Sequence, residues 1–164
     1  MRDMFVAALR NSMKNIAEPR FYETERGYQG ALIAQLTANL NFATLNGNPI
    51  IEQEYQKTLP HHGITIRPDI IIHIPSRPNS EEDRTRGNFV AVEIKRRATD
   101  SEAKLDYDSL SLLVHRLAYP LIVFINIDSD DDHRRNCPPK IAAQTISIAV
   151  HLEDGVPKIH GLET

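Results

Sequence analysis

The sequence predicts an α/β domain, and three observations carry the prediction. Two stretches near the start hold apolar residues at helical spacing. Three later runs rich in isoleucine, valine and leucine, at 67–74, 88–97 and 121–125, have the length and composition of strands. A further helical pattern, 101–117, lies between the second and third of these runs, the alternation expected of helices packed on a sheet. With 164 residues, one domain spanning 1–164 is expected, large enough for a single well-buried core.

Taken in order, Phe5, Leu9, Met13 and Ile16 form one apolar stripe that Pro19 closes, so an amphipathic helix is expected to end near Ala17. A second helix is expected from about Thr24 to Asn41, its face made of Tyr28, Leu32, Leu36 and Leu40, with Asn46-Gly47-Asn48-Pro49 as the stop. Ile50–Gln56 reads as a strand broken by Leu59-Pro60-His61-His62-Gly63. The isoleucines of Arg67–Ile74 predict a strand buried on both faces. Polar residues from Ser76 to Asn88 predict an exposed loop, and the strand Asn88–Arg97 follows.

Ser101–Leu117 is expected to be helical, with Leu105, Leu112, Leu113 and Leu117 near one face and Asp100 or Ser101 as the cap. Leu121–Ile125 predicts another central strand, and Asn126–Pro139 a long surface loop. A short helix around Lys140–Ala143 and a terminal hairpin, Thr145–Leu152 and Val156–Ile159 about Glu153-Asp154-Gly155, complete the chain.

Composition narrows the classes. With 41% hydrophobic and 25% charged residues the chain resembles ordinary globular proteins and not disordered ones. A net charge of -3 argues against a generally basic coat, though a local basic groove remains compatible with it. Cys137, the single cysteine, rules out an intrachain disulfide framework. The apolar runs are too short and interrupted for a membrane span, and the first residues begin an amphipathic segment and not a signal peptide; a cytoplasmic protein is expected.

The chemistry concentrates in two strands. Asp69 heads one; Glu93 and Lys95 share a face of the other because strand side chains alternate. Two carboxylates brought within about 4 Å repel by roughly 4 kcal/mol at an effective dielectric near 20. A divalent cation removes that repulsion, and magnesium suits a few carboxylate oxygens plus a backbone carbonyl, most simply that of Ile94. Lys95 can orient a water or stabilise charge developing on a phosphoryl group. Asp69, Glu93 and Lys95 thus supply the parts of metal-assisted phosphodiester hydrolysis. Glu25, at the head of the second helix, either favours the helix N-terminus through the dipole or joins the acids.

Pro68-Asp69 followed by Glu93-Ile94-Lys95 resembles the motif of the PD-(D/E)XK nuclease superfamily, and the likeness extends over about residues 23–126. The resemblance implies a restriction-endonuclease-like core: a central mixed β-sheet flanked by helices in the order α-β-β-β-α-β, here with an added N-terminal helix and a C-terminal β-hairpin. It implies a magnesium-dependent endonuclease, with manganese as a substitute, that hydrolyses nucleic acid and most simply DNA. It also implies a metal-site glutamate on the first core helix, for which Glu25 matches best and Glu23 is the reserve. A homodimer or a larger complex is compatible with it.

Substrate contacts are expected from Arg84, Arg86, Arg96 and Arg97, which can form a positive rim holding phosphates, and from Gln29, with Lys104 near the same cleft. The same arginines read equally as a solvated charged surface paired with Glu81, Glu82 and Asp83. Arg134, Arg135 and Lys140 form a candidate second basic patch. His73 is expected to be a hydrogen-bonded strand histidine, and His61-His62 an exposed pair in a turn. Asp128, Asp130 and Asp132 imitate the opening of a calcium loop, which fails at His133 and Pro139. Cys137 has no evident base partner. Beside the nuclease stands a second reading, a non-cleaving nucleic-acid-binding module or an accessory subunit of the same fold.

Overall fold

A computed structural model of the chain describes residues 2–42, 47–54, 64–75 and 85–162. The expected break at 59–63, most of the polar loop before Asn88, Glu81, Glu82, Asp83 and Arg84 lie outside the described residues.

The chain opens with α1 (Arg2–Lys14), which buries Phe5, Ala8, Leu9, Ser12 and Met13. A 3-10 turn, Pro19–Tyr22, leads into α2 (Glu25–Asn39), where the Thr24 hydroxyl accepts from the Gly27 N–H at 3.0 Å and caps the helix. Helix α2 buries Tyr28, Gln29, Leu32 and Leu36, a stripe at helical spacing that includes one amide. Strands β1 (Ile50–Gln53), β2 (Ile70–His73) and β3 (Asn88–Arg96) follow, then α3 (Asp100–Leu117), β4 (Leu121–Ile127), β5 (Thr145–Glu153) and β6 (Val156–His160).

Among the described residues these strands form one six-stranded mixed sheet in the order β1-β2-β3-β4-β5-β6. Strands β1, β2 and β3 are antiparallel neighbours, β3, β4 and β5 run parallel, and β6 returns antiparallel to β5. Parallel β3 and β4 require a crossover, which α3 provides.

Period-two alternation divides the interior into two cores. Ile70, Ile72, Val90, Val92 and Ile94 face the layer of α1 and α2; Ile71 and Ala91 face α3, against Ala103, Tyr107 and Leu110. Every residue of β4 is buried, as expected of a parallel strand covered on both sides. Helix α3 starts from a capping box, Thr99 with Glu102, and ends where Ala118 turns left-handed. No helix among the described residues is long and apolar enough to cross a membrane.

Three local expectations change. Strand β2 begins at Ile70, so Asp69 stands just before it and not within it. The buried face of α3 keeps Leu113 and Leu117 as expected but is rotated away from Leu105, 66% exposed, and Leu112, 44% exposed, and it takes in Ala103, Tyr107 and Leu110. The segment expected as a surface loop from Asn126 begins inside β4, and Asn126 and His133 are buried with their polar atoms bonded. The terminal hairpin forms as expected, turning at Asp154-Gly155, both at positive φ as a tight two-residue turn requires, and β5 joins it to the central sheet beside β4.

Candidate active site

The register that pairs Ile70 with Val92 sets Asp69 opposite Glu93 one step further along. Backbone bonds fix Asp69: its carbonyl accepts from the Glu54 N–H at 2.9 Å and from the Gln29 side-chain amide at 2.5 Å. Its carboxylate Oδ2 accepts from the Ile94 N–H at 2.7 Å. Because a strand residue's N–H and C=O point to the same side, the Ile94 carbonyl faces the same edge as Asp69.

Glu93 and Lys95 point toward α3, as strand parity requires, and Lys95 Nζ lies 3.3 Å from Glu93 Oε1. The far side of Lys95 is closed by Asp106 of α3, whose Oδ1 is 3.8 Å away. Glu25 comes from the other layer. Sitting at the first position of α2, it reaches past the end of β3, where its Oε1 accepts from the Arg96 N–H at 3.0 Å. The structure therefore gathers Asp69, Glu93, Lys95 and Glu25 at the C-terminal end of β3 and adds Asp106.

The electrostatics follow from acids crowded at low solvent exposure. Burial, then the neighbouring Asp69 and Asp106, push the Glu93 carboxyl up to about 8 against the pull of Lys95. Burial also raises Asp69 despite the Ile94 N–H and Lys95, with Glu25 and Glu54 adding to the rise. Asp106 is pushed up to about 6, again by burial first, with Lys95 opposing and Asp69, Glu25 and Glu102 contributing. Burial by itself would lower Lys95, but Glu93, Asp106 and Glu25 outweigh it and hold the ammonium above its ordinary value.

One Asp106 oxygen, Oδ2, is buried without a hydrogen-bond partner among the described residues. Carboxylates that resist ionisation beside an unpartnered carboxylate oxygen are short of positive charge, and all the donors are hard oxygens. Asp69, Glu93 and the Ile94 carbonyl, with Glu25 at the margin, therefore fit a small divalent cation such as magnesium.

The expected phosphate contacts fare differently. Gln29 is 3% exposed and its amide is engaged by Asp69, so it positions an acid and does not reach outward. Arg86 adjoins the start of β3; the strand from Asn88 to Glu93 alone covers roughly 17 Å, so Arg86 and the acids are at opposite ends. Arg96 Nη2 and Arg97 Nε both pair with Asp128 Oδ2, at 2.7 and 2.9 Å, and one carboxylate offsets part of their charge. Arg84 lies outside the described residues.

Other sequence features resolve as structure. His73 bonds Glu52 at 2.7 Å on the strand face. His133 stands between Asp100, at 3.0 Å from Nδ1, and the Ala98 carbonyl, at 2.8 Å from Nε2. Asp100, Asp131 and His133 bring ligand-type atoms within 4.8 Å of one another. Arg135 already offsets one of that group's two negative charges, 2.5 Å from Asp100 and 2.8 Å from Asp131, and its hydrogen bonds hold Asp131 at about 2. The group staples the start of α3 to the β4–β5 connection.

Asp106 is the site residue that sequence reasoning missed. A signal exists: it falls three residues after Ala103 and four before Leu110, on the face that α3 buries. Comparison with known proteins yields no match: no family model, no curated protein and no solved structure matches the chain.

Proposed function

We propose that the chain is a metal-dependent endonuclease of the PD-(D/E)XK type, hydrolysing phosphodiester bonds in nucleic acid, most simply DNA. The observation that carries this reading is the convergence of Asp69, Glu93 and Asp106 around Lys95 at one strand end, with carboxyls pushed upward. A purely structural Glu-Lys pair has no need of two further acids, and a phosphate binder has no need to concentrate negative charge. The helix-strand-strand-strand-helix-strand order about that point supports the restriction-endonuclease-like reading of the fold.

Asp69, Glu93 and the Ile94 carbonyl would hold a magnesium ion, Glu25 supporting them from the end of α2. The ion supplies Lewis-acid stabilisation of the phosphoryl group and a more acidic water. The protein's own part is positional. The Ile94 N–H and the bonds to the Asp69 carbonyl keep one carboxylate aimed; Glu93 and Asp106 keep Lys95 charged and held on the α3 side of the strand end, beside the acids. There Lys95 donates to the attacking water or to the oxygen on which negative charge develops. Arg97, whose side chain is 65% exposed, lies beside the strand end and suits a substrate phosphate.

The test is cleavage of supercoiled, linear, single-stranded and branched DNA and of RNA, by wild type and Lys95→Ala, in magnesium, manganese and EDTA. Metal-dependent cutting that the variant loses while it stays folded by circular dichroism is the expected result. Cutting by a well-folded Lys95→Ala variant at the wild-type rate overturns the assignment. Duplex bound but left intact under all conditions points to the binding-module reading.

A further inference from the structure

A second site lies away from the acids. Strand β6 ends at His160, opposite Ala149, so the first residues of β5 have no strand on that edge. The chain turns there at Gly161, at φ +86, so close to β5 that an added Cβ would lie 2.1 Å from the Ser147 carbonyl oxygen. Between this turn, the start of β5 and the N-terminal half of α1 is a cavity of about 370 Å³, within the range of small-ligand sites.

Its lining pairs an apolar wall, Val6, Ile146 and Leu162, with three guanidinium groups, those of Arg2, Arg10 and Arg134. Each guanidinium is anchored by a backbone carbonyl. Arg2 donates to Ala143 O at 2.7 Å, Arg134 to Gly161 O at 3.3 Å, and Arg10 to Leu162 O. Arg10 and Arg134 thus rest on consecutive carbonyls. One donor of five is engaged in each of these bonds, and among the described residues none of the three has a carboxylate partner, although Asp3 also lines the cavity. Asp132 borders the cavity as well, its Oδ2 lying beside Gly161, so among the described residues three guanidiniums face two carboxylates and keep an excess of positive charge and of unengaged N–H donors.

We infer that this cavity binds a small phosphate monoester with an apolar body. The number of donors selects the anion: a phosphate monoester offers three terminal acceptor oxygens to three guanidiniums, where a carboxylate offers two. The forked donors match phosphate oxygens in pairs, and the wall of Val6, Ile146 and Leu162 receives the ester group. The site is separate from the acids. Strands β4 and β5 step it roughly 10 Å across the sheet from β3, and Ile146 faces the α1 layer while Glu93 and Lys95 face α3. It does not depend on the nuclease reading.

Calorimetric titration of the full chain in EDTA, where the acid cluster repels anions, tests the inference with phenyl phosphate, inorganic phosphate and benzoate. Phenyl phosphate is expected to bind about tenfold or more tightly than either of the others. Arg134→Gln and Arg2→Gln, both at exposed side chains, are each expected to weaken it about tenfold with unchanged melting, while Lys95→Ala leaves it unaltered. Absence of binding at about 10 mM, a weakness of roughly 3 kcal/mol, overturns the inference. So does equal affinity for benzoate, wild-type affinity in both folded arginine variants, or loss of binding in Lys95→Ala.

Discussion

Replacing Glu93 by Gln should stabilise the metal-free protein at alkaline pH, and by an amount the structure sets. Glutamine keeps the shape and a carbonyl oxygen for Lys95 but removes the charge that Asp69 and Asp106 oppose. The Glu93 carboxyl moves from an ordinary 4.5 to about 8 on folding, so the native state holds its proton more tightly than the unfolded chain. That advantage is complete below pH ~4.5 and is lost as pH rises through about 8. The full displacement corresponds to roughly 5 kcal/mol. Asp69 and Asp106 titrate with it, so about half of this belongs to Glu93 alone, on the order of 2–3 kcal/mol. For a chain of this size that is about 5–10 °C in melting temperature.

Thermal unfolding in EDTA, followed from pH 5 to pH 8, is the assay. Wild type should lose several degrees over this range and Glu93→Gln much less, so that the variant is the more stable at pH 8. Magnesium at pH 8 should restore wild type and leave the variant nearly unchanged, since the variant lacks one carboxylate of the cation's donor set. Wild-type curves that coincide from pH 5 to pH 8, or a variant less stable than wild type at pH 8, would refute the electrostatic reasoning.

Two further outcomes are expected. Asp106→Asn removes the carboxylate 3.8 Å from Lys95 Nζ and should lower the cleavage rate about tenfold with little change in KM, read from steady-state kinetics against pH. Gln29→Ala leaves the Asp69 carbonyl with only the Glu54 N–H among the bonds described, and should cost about 1–2 kcal/mol in urea unfolding together with weaker magnesium binding by titration.

The strands were legible because their apolar runs are long and unbroken: Ile70–Ile72, Val90–Ile94 and Leu121–Ile125 all form strands in the central sheet. Strand parity was enough to set Glu93 and Lys95 on one face, and the register then carries Asp69 to Glu93. What escaped depends on contacts between elements. The face of α3 was read from its leucines, yet a helix against a sheet needs small and flat residues as well, and Ala103 and Tyr107 turn inward while Leu105 and Leu112 do not. That rotation concealed Asp106. Gln29 was expected among the substrate contacts near the cleft; the carbonyl that engages its amide is 40 residues away in the chain. The segment after β4 is polar by composition and buried in part because His133, Asp100 and Arg135 satisfy one another.

The strictly sequential order of the sheet has a consequence for how the molecule is made. Each strand lies beside its predecessor in the chain, so each can dock on an edge already made and no later strand must be threaded between earlier ones. The five charged groups of the acid cluster all lie between Glu25 and Asp106, yet β3, which carries two of them, keeps one bare edge until β4 emerges at Leu121–Ile127. A nascent chain therefore possesses its clustered acids before it has a rigid frame for them, and the fully buried β4 closes that interval by sealing the exposed strand edge.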